Sequence, residues 1–188
     1  MIIPFIISAV AIAVDQVSKN YIQATMQVGE SFNFIPHILN IRYIENPGAS
    51  FGILANHRWV FMSLSSVAIV FLIGAIIYLS RKSIARYNRM LNISLAFVLG
   101  GAVGNMIDRL FNVSEMPGRE GVNVVVDFLE FDFVNFAIFN FADVFITIGA
   151  ALLCLCTLLG KYALKPKIIS EYEVVYEDGC GGIVKEEQ

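Results

Sequence analysis

The sequence predicts a mainly α membrane protein of four transmembrane helices, and three observations predict it. Of its 188 residues, 57% are hydrophobic and only 15% are charged, with a mean hydropathy of +0.69, which lies outside the habit of soluble globular domains. The stretch "WVFMSLSSVAIVFLIGAIIYLS", Trp59 to Ser80, runs 22 residues without a formal charge. At about 1.5 Å per residue it is long enough to cross a hydrocarbon core of roughly 30 Å. Met90 to Ile107 is a second uncharged run, of 18 residues, and Phe133 to Gly160 is a third, interrupted only by Asp143.

Taken in order, the spans are residues of about 2–24, 59–80, 90–109 and 138–160. Ile2 to Val14 is apolar up to Asp15, and "QVSKNYIQATM" continues the helix beyond it. Residues 1–14 hold no Lys or Arg, whereas a cleaved signal peptide needs a basic start, so this is read as a retained first span. The connector "RKSIARYNR" carries Arg81, Lys82, Arg86 and Arg89 without an acid, and Lys161, Lys165 and Lys167 follow the fourth span. By the positive-inside rule both face the cytoplasm, as do both termini. Connectors 27–58 and 108–139 then lie outside. Residues 1–165 are read as one membrane domain. The acid-rich tail, residues 166–188, is read as a mobile cytoplasmic extension in which "EYEVVY" can pair as a strand.

Polar residues in these spans cost several kcal/mol each, by rough estimate, unless they are partnered or have a function. Asp15 and Lys19 in "DQVSK" are four apart with the acid first, the better orientation for a pair on one helix face. They are either an ion pair anchoring the end of span one or a contact for a ligand or headgroup. Asn105, Asp108 and Arg109 share a face at the outer end of span three. For Asp108 and Arg109 the favoured reading is a bracing pair with Arg109 snorkelling to the interface. Gly100 and Gly104 let a neighbouring helix approach this face closely.

Asp143 sits in "FNFADVF" at the start of span four, three residues after Asn140 and on its face. In "NVVVDFLEF", the valines and phenylalanine around Asp127 argue for a short extended segment returning to the membrane. A strand there puts Asp127 at a depth similar to Asp143. Two carboxylates in a partly dry site share one proton. The charged member can take a proton from water while the neutral one polarises a peptide carbonyl, which hydrolyses it without a metal or a covalent intermediate. Glu130 and Asp132 are equally near in sequence and stand as alternative partners.

Other chemistries find less support. His37 and His57 are the only histidines and lack the HExxH spacing of zinc peptidases. Ser18 and Lys19 are adjacent and face different ways on a helix, against a Ser–Lys nucleophile. Cys154, Cys156 and Cys180 give no disulfide framework. The net charge of −3 and the lack of a basic stripe give no sign of nucleic acid. A transporter is the competing class, but its polar site belongs near the bilayer midplane. Here the polar groups cluster at the outer ends of spans one, three and four. A non-catalytic lipid-binding relative is a third reading.

Five stretches in order, "DQVSK", "ENPGASFGIL", "GGAVGNMIDR", "VVDF" and "FNFADVFI", together resemble the lipoprotein signal peptidases, or signal peptidase II, aspartyl peptidases of bacterial inner membranes. The resemblance implies removal of the signal peptide from prolipoproteins, just before a cysteine carrying diacylglycerol, with no metal or cofactor. It implies Asp127 and Asp143 as the catalytic pair, with Asp15, Lys19, Asn46, Gly48, Asn105, Asp108, Arg109 and Asn140 lining or bracing the site. It further implies a monomer with a small extracytoplasmic β platform over residues of about 27–58 and a mobile extracytoplasmic segment between spans three and four. Membrane lipid and cyclic-peptide inhibitors of the globomycin type are the other expected partners.

Local chemistry agrees with the platform: "NFIPHILNIRYIENPGASFGIL" mixes β-branched and aromatic residues with Pro and Gly punctuation. Pro47 and Gly48 suit a turn that lets Asn46 hold its amide toward a substrate backbone, and Phe51 offers apolar surface to acyl chains. Eighteen positions separate Arg109 from Asp127, more than the family's usual spacing, with residues 112–121 as the apparent insertion.

Overall fold

The computed structural model describes residues 2–48, 58–81, 87–163, 165–170, 173–177 and 183–185. The first helix, α1 (Ile2–Thr25), buries Pro4, Ser8, Ala11, Asp15, Lys19 and Ile22, which recur every three or four residues. Its other side exposes Ile6, Val10, Val14, Val17 and Tyr21. This inverts the soluble pattern, in which the apolar stripe is buried. It suits a helix that shows lipid its apolar side and keeps polar side chains for its neighbours.

Three further helices follow: α2 (Arg58–Arg81), α3 (Tyr87–Phe111) and α4 (Phe141–Ala163). All four are long and apolar enough to cross a membrane. Helix α3 is the centre of the bundle, and α1, α2 and α4 each pack against it. Small residues make the approach close. A Cβ at Gly100 would lie 2.6 Å from Ala11 Cβ and 3.0 Å from Ser8 O, and one at Gly101 would collide with the carbonyl of Ala142. Ser8 Oγ donates to Ala96 O at 2.9 Å. Positions 8 and 11 therefore meet 96 and 100, so α1 runs parallel to α3, while Ala142 meets Gly101 and Gly149 meets Ser94 and Val98, so α4 runs antiparallel. Helix α2 contributes Leu72 and Ile76 to an apolar cluster with Leu95 and Leu99 of α3.

A three-stranded antiparallel sheet caps the end of the bundle where α1 and α3 finish and α4 begins. Its order is β1 (Ser31–Ile35), β2 (Leu39–Asn46), β3 (Val125–Phe131). Ile22 at the end of α1 packs with Ile41 and Tyr43 of β2 and Val126, Phe128 and Leu129 of β3, and Phe141 and Val144 of α4 close the cluster. The sheet is thus welded to two helix ends by burial, which stabilises by roughly 25 cal/mol per Å² of apolar surface. Along β2 the register slips: Ile41 pairs with Leu129, but Ile44 pairs with Asp127 and Asn46 with Val125. One extra residue is accommodated at Arg42–Tyr43, a β-bulge, and every side chain beyond it changes face.

The structure revises several expectations. The platform is not confined to residues 27–58, because its third strand, β3, comes from the connector between α3 and α4. Helix α4 starts at Phe141, later than 138, because Phe139 is held in the sheet: the amides of Phe128 and Leu129 donate to its carbonyl at 3.0 and 2.8 Å. The segment after α4 forms its own antiparallel sheet, β4 (Lys165–Ser170), β5 (Glu173–Glu177) and β6 (Ile183–Lys185), with β5 drawn from the "EYEVVY" stretch. Phe51 and Cys180, with Lys82 and Arg86 of the basic connector, lie outside the described residues.

Candidate active site

Helix periodicity and the sheet converge at the platform end of α3. On α1, Lys19 is 1% exposed and lies 2.8 Å from Asp15, the i, i+4 pair the spacing predicts. Its ammonium also meets Asp108 Oδ2 of α3 at 3.0 Å and donates to Asn105 Oδ1 at 3.0 Å. Three acceptors thus take the three N–H bonds of one buried cation, the condition under which a buried charge is tolerated. Asp15 and Lys19 form a buried ion pair. The cation in contact with Asp108 is Lys19, and the charge of Arg109 acts on Asp108 as well. Sequence neighbours i and i+1 diverge on a helix, whereas parallel packing brings α1 and α3 face to face.

The rest of the Asp15 and Asp108 carboxylates is also occupied. Asp15 Oδ1 accepts from the backbone N–H of Ala142 in the first turn of α4 at 2.9 Å. Asp108 Oδ2 accepts from Val126 N of β3 at 3.2 Å. A Cβ at Gly104 would lie 2.5 Å from Asp15 Oδ2, so glycine leaves the room that this carboxylate fills. Gln16 bridges the same pair, donating to Asp108 Oδ1 at 3.0 Å, Gly104 O at 3.1 Å and Asp15 Oδ2 at 3.2 Å. Sequence reasoning passed over Gln16. An amide in the otherwise apolar run beside Asp15 was the available signal.

At the start of α4, Asn140 and Asp143 cap each other. The Asp143 amide donates to Asn140 Oδ1 at 3.1 Å, and the Asn140 amide donates to Asp143 Oδ2 at 3.2 Å. This is a reciprocal capping box written Asn-x-x-Asp. It fixes Asp143 at the mouth of the helix, where backbone N–H groups favour negative charge.

The Asn140 side chain then turns to Asp127, donating to its Oδ1 at 2.6 Å, and also reaches Asn105 Oδ1 at 3.0 Å and Val126 O at 3.3 Å. Asn105 completes the link by donating to Asp143 Oδ1 at 2.9 Å. Asp127 and Asp143 are therefore tied to one pair of buried amides. Arg109 Nη1 reaches Asn105 O at 3.4 Å, and its charge interacts with Asp143, Asp127 and Asp108.

Asp127 is held from β2 as well. Asn46 donates to its Oδ2 at 2.9 Å. Asn46 Oδ1 in turn accepts from Gly48 N at 3.0 Å, a turn in which Gly48 takes φ 115°, a region that side chains resist. The Asn46 amide is thus directed at a carboxylate, where the sequence suggested a substrate backbone. Burial pushes the Asp127 carboxyl up to about 7; Asp143 raises it further, while the bonds from Asn46 and Asn140 and the charge of Lys19 oppose the rise. Glu130 and Asp132 turn elsewhere: Glu130 accepts from Arg42 at 3.1 Å and Asp132 from Asn40 at 3.1 Å.

The chain is similar to known proteins over most of its length. The family model for signal peptidase (SPase) II matches residues 7–159. The chain is 41% identical over 151 residues to the lipoprotein signal peptidase of Brevibacillus brevis, covering 80% of this chain and 91% of that one. It is 40% identical over 162 residues to that of Streptococcus agalactiae serotype V, covering 86% and 93%. Among solved structures, it resembles a bacterial membrane enzyme determined by the in meso method at 2.3 Å resolution, with a TM-score of 0.75, 31% identity, and 90% of this chain and 96% of that chain covered. Four helices, a capping sheet and relatives over most of its length lead to one conclusion: the chain belongs to the signal peptidase II family, a family of membrane peptidases.

Proposed function

We propose that the chain is an aspartic endopeptidase that removes the signal peptide from diacylglyceryl-modified prolipoproteins, cutting before the lipidated cysteine. The observation that carries this reading is the link between Asp127 and Asp143 through Asn140 and Asn105, in a site where one carboxyl is raised to about 7. The two carboxyls share one proton, which belongs to the pair rather than to either residue. The ionised member takes a proton from a water molecule, whose oxygen adds to the scissile carbonyl carbon. The neutral member gives its proton to the carbonyl oxygen. As the C–N bond of the tetrahedral diol breaks, the carboxyl that took the water's proton gives it to the leaving nitrogen, the other takes a proton from a diol hydroxyl, and the pair returns to its starting state.

Lys19, Asp15, Asp108 and Gln16 keep the helix faces in register without touching the reacting atoms. Arg109 offsets the negative charge of the pair. The basic connector after α2 orients the platform toward the outer face of the membrane, with both termini in the cytoplasm. There the site meets a lipidated precursor at the bilayer surface as a monomer, and globomycin-type cyclic peptides compete for the same site.

The test is cleavage of a diacylglyceryl prolipoprotein, read by gel shift, with wild type, Asp127→Asn and Asp143→Asn. Wild type cleaves, both variants insert in the membrane and neither cleaves. Turnover by both variants sinks the mechanism, and a strong loss of wild-type activity on chelation reopens a metal reading.

A further inference from the structure

On the face of β2 turned away from Asp127 lies a second polar cluster that the proposed reaction does not use. Glu45 Oε1 accepts from the Tyr43 hydroxyl at 3.4 Å, and its Oε2 accepts from the Ser114 hydroxyl. Tyr43 is 4% and Ser114 1% exposed, so neither hydroxyl has water as a ready alternative partner. Burial, with the Glu45 carboxylate adding to it, pushes the Tyr43 phenol up to about 12, so it remains a donor at neutral pH.

Ser114 is the anchor of the segment between α3 and β3. Its amide donates to Val122 O at 2.8 Å, its carbonyl accepts from Gly121 N at 3.2 Å, and its Oγ accepts from Met116 N at 3.2 Å. Val124 N donates to Asn112 O at 3.1 Å, closing the base of the same loop. One carboxylate therefore ties this loop to β2. The point of attachment matters. Tyr43 lies in the bulge, Glu45 pairs with Val126, and the next residue is Asn46, which bonds Asp127. Val126 itself bonds Asp108 through its N–H and Asn140 through its carbonyl.

We infer that Glu45 is a positioning residue: by holding Tyr43 and Ser114 at once, it fixes the bulge and so the alignment of Asn46 on Asp127. The inference rests on the peptidase reading. Its element is the residue that precedes the site's donor, paired to the strand position that both helices use.

The test compares Glu45→Ala, Glu45→Gln, Ser114→Ala and Ser114→Thr in the full-length protein, with kcat and KM on a lipidated precursor and thermal unfolding of the same preparations. Glutamine can accept from Tyr43 with its oxygen and donate to Ser114 with its amide, so it retains the tie without the charge. Glu45→Ala and Ser114→Ala lower kcat about tenfold, the scale of one lost hydrogen bond to a charged group, with KM changed less than about threefold. Glu45→Gln and Ser114→Thr restore kcat to within about threefold of wild type. Wild-type kcat in both alanine variants, alongside an inactive Asp127→Asn, overturns the positioning role and leaves the peptidase reading standing. A kcat loss that glutamine and threonine do not rescue, tracking lost thermal stability in all four variants, overturns it in favour of a general folding role. Cleavage by both Asp127→Asn and Asp143→Asn instead removes the peptidase reading on which it rests.

Discussion

Asn140 and Asp143 bond each other twice, amide to side-chain oxygen in both directions, at 3.1 and 3.2 Å. The bond pair starts α4 and also leaves the Asn140 side-chain amide pointing at Asp127. One residue thus serves a helix cap and a carboxylate, and substitution can separate the two roles. Serine caps helices about as well as asparagine but has no amide to reach Asp127. Both Asn140→Ser and Asn140→Ala strand the buried acceptors that the amide serves, at about 1–3 kcal/mol, and Asn140→Ala loses about 1 kcal/mol more because it also loses the cap. Both lose activity by a similar large factor. Thermal unfolding in detergent and prolipoprotein cleavage on the same samples check this.

Lys19→Met leaves Asp15 and Asp108, both fully buried, facing each other without their cation. Removing one partner from a buried charge network costs about 3–5 kcal/mol. The variant is expected to unfold at markedly lower temperature or fail to accumulate in the membrane. The double variant Lys19→Met with Asp15→Asn, which removes one of the stranded charges, regains part of that loss. An additive double variant would show that the two do not interact.

Gly104→Ala drives a methyl group to within 2.5 Å of Asp15 Oδ2. Because the carboxylate is held by Lys19 and the Ala142 amide, it cannot give way freely, and overpacking of about 1–3 kcal/mol is expected. Gly74→Ala is the control, since nothing lies within 4 Å of a Cβ there and alanine is the better helix former. Unfolding temperature falls in the first variant and stays level or rises in the second.

Activity should fall as pH rises through about 7, where Asp127 gives up its proton and the pair loses the shared one. The groups facing Asp127 set this point: burial and Asp143 raise it, and Asn46, Asn140 and Lys19 lower it. Removing a donor to the ionised form raises a carboxyl pKa, so Asn46→Ala moves the alkaline limb of kcat/KM upward by about one unit. Stability has the same sign. Between the ordinary value of 3.8 and about 7 the folded chain holds a proton that the unfolded chain has released, so stability declines with rising pH across that window. Asp127→Asn removes this share of the decline, which a pH series of unfolding measures.

The helices were legible because apolar runs and three- or four-residue spacings are local properties of the chain. Asp15 with Lys19, and Asn140 with Asp143, follow from one helix or one helix start, and the structure pairs both. Partners set by tertiary packing were not legible. Lys19 meets Asp108 across 89 positions because small residues let α1 and α3 pack in parallel, and no local pattern encodes that. The same holds for Gln16 on Asp108, for Glu45 on Ser114 and for the pairing of β3, itself legible as an extended segment, with β2. The direction of Asn46 was missed for a different reason: it depends on whether the count of residues along β2 is odd or even after Ile41, and the bulge changes that count.

That parity makes chain length a stricter requirement than composition in this strand. Trimming one residue between Ile41 and Ile44 would remove the bulge yet leave Asn46 opposite Val125, whereas adding one there with the single bulge retained would turn Asn46 to the opposite side of the sheet, although every side chain named in the site would still be present. Apart from Glu45 and Asn46, substitutions along β2 can drift, but a single-codon insertion there would disarm the site by geometry alone. The bulge acts as a counting device, and the enzyme's tolerance of insertions should be read from it before its tolerance of mutations.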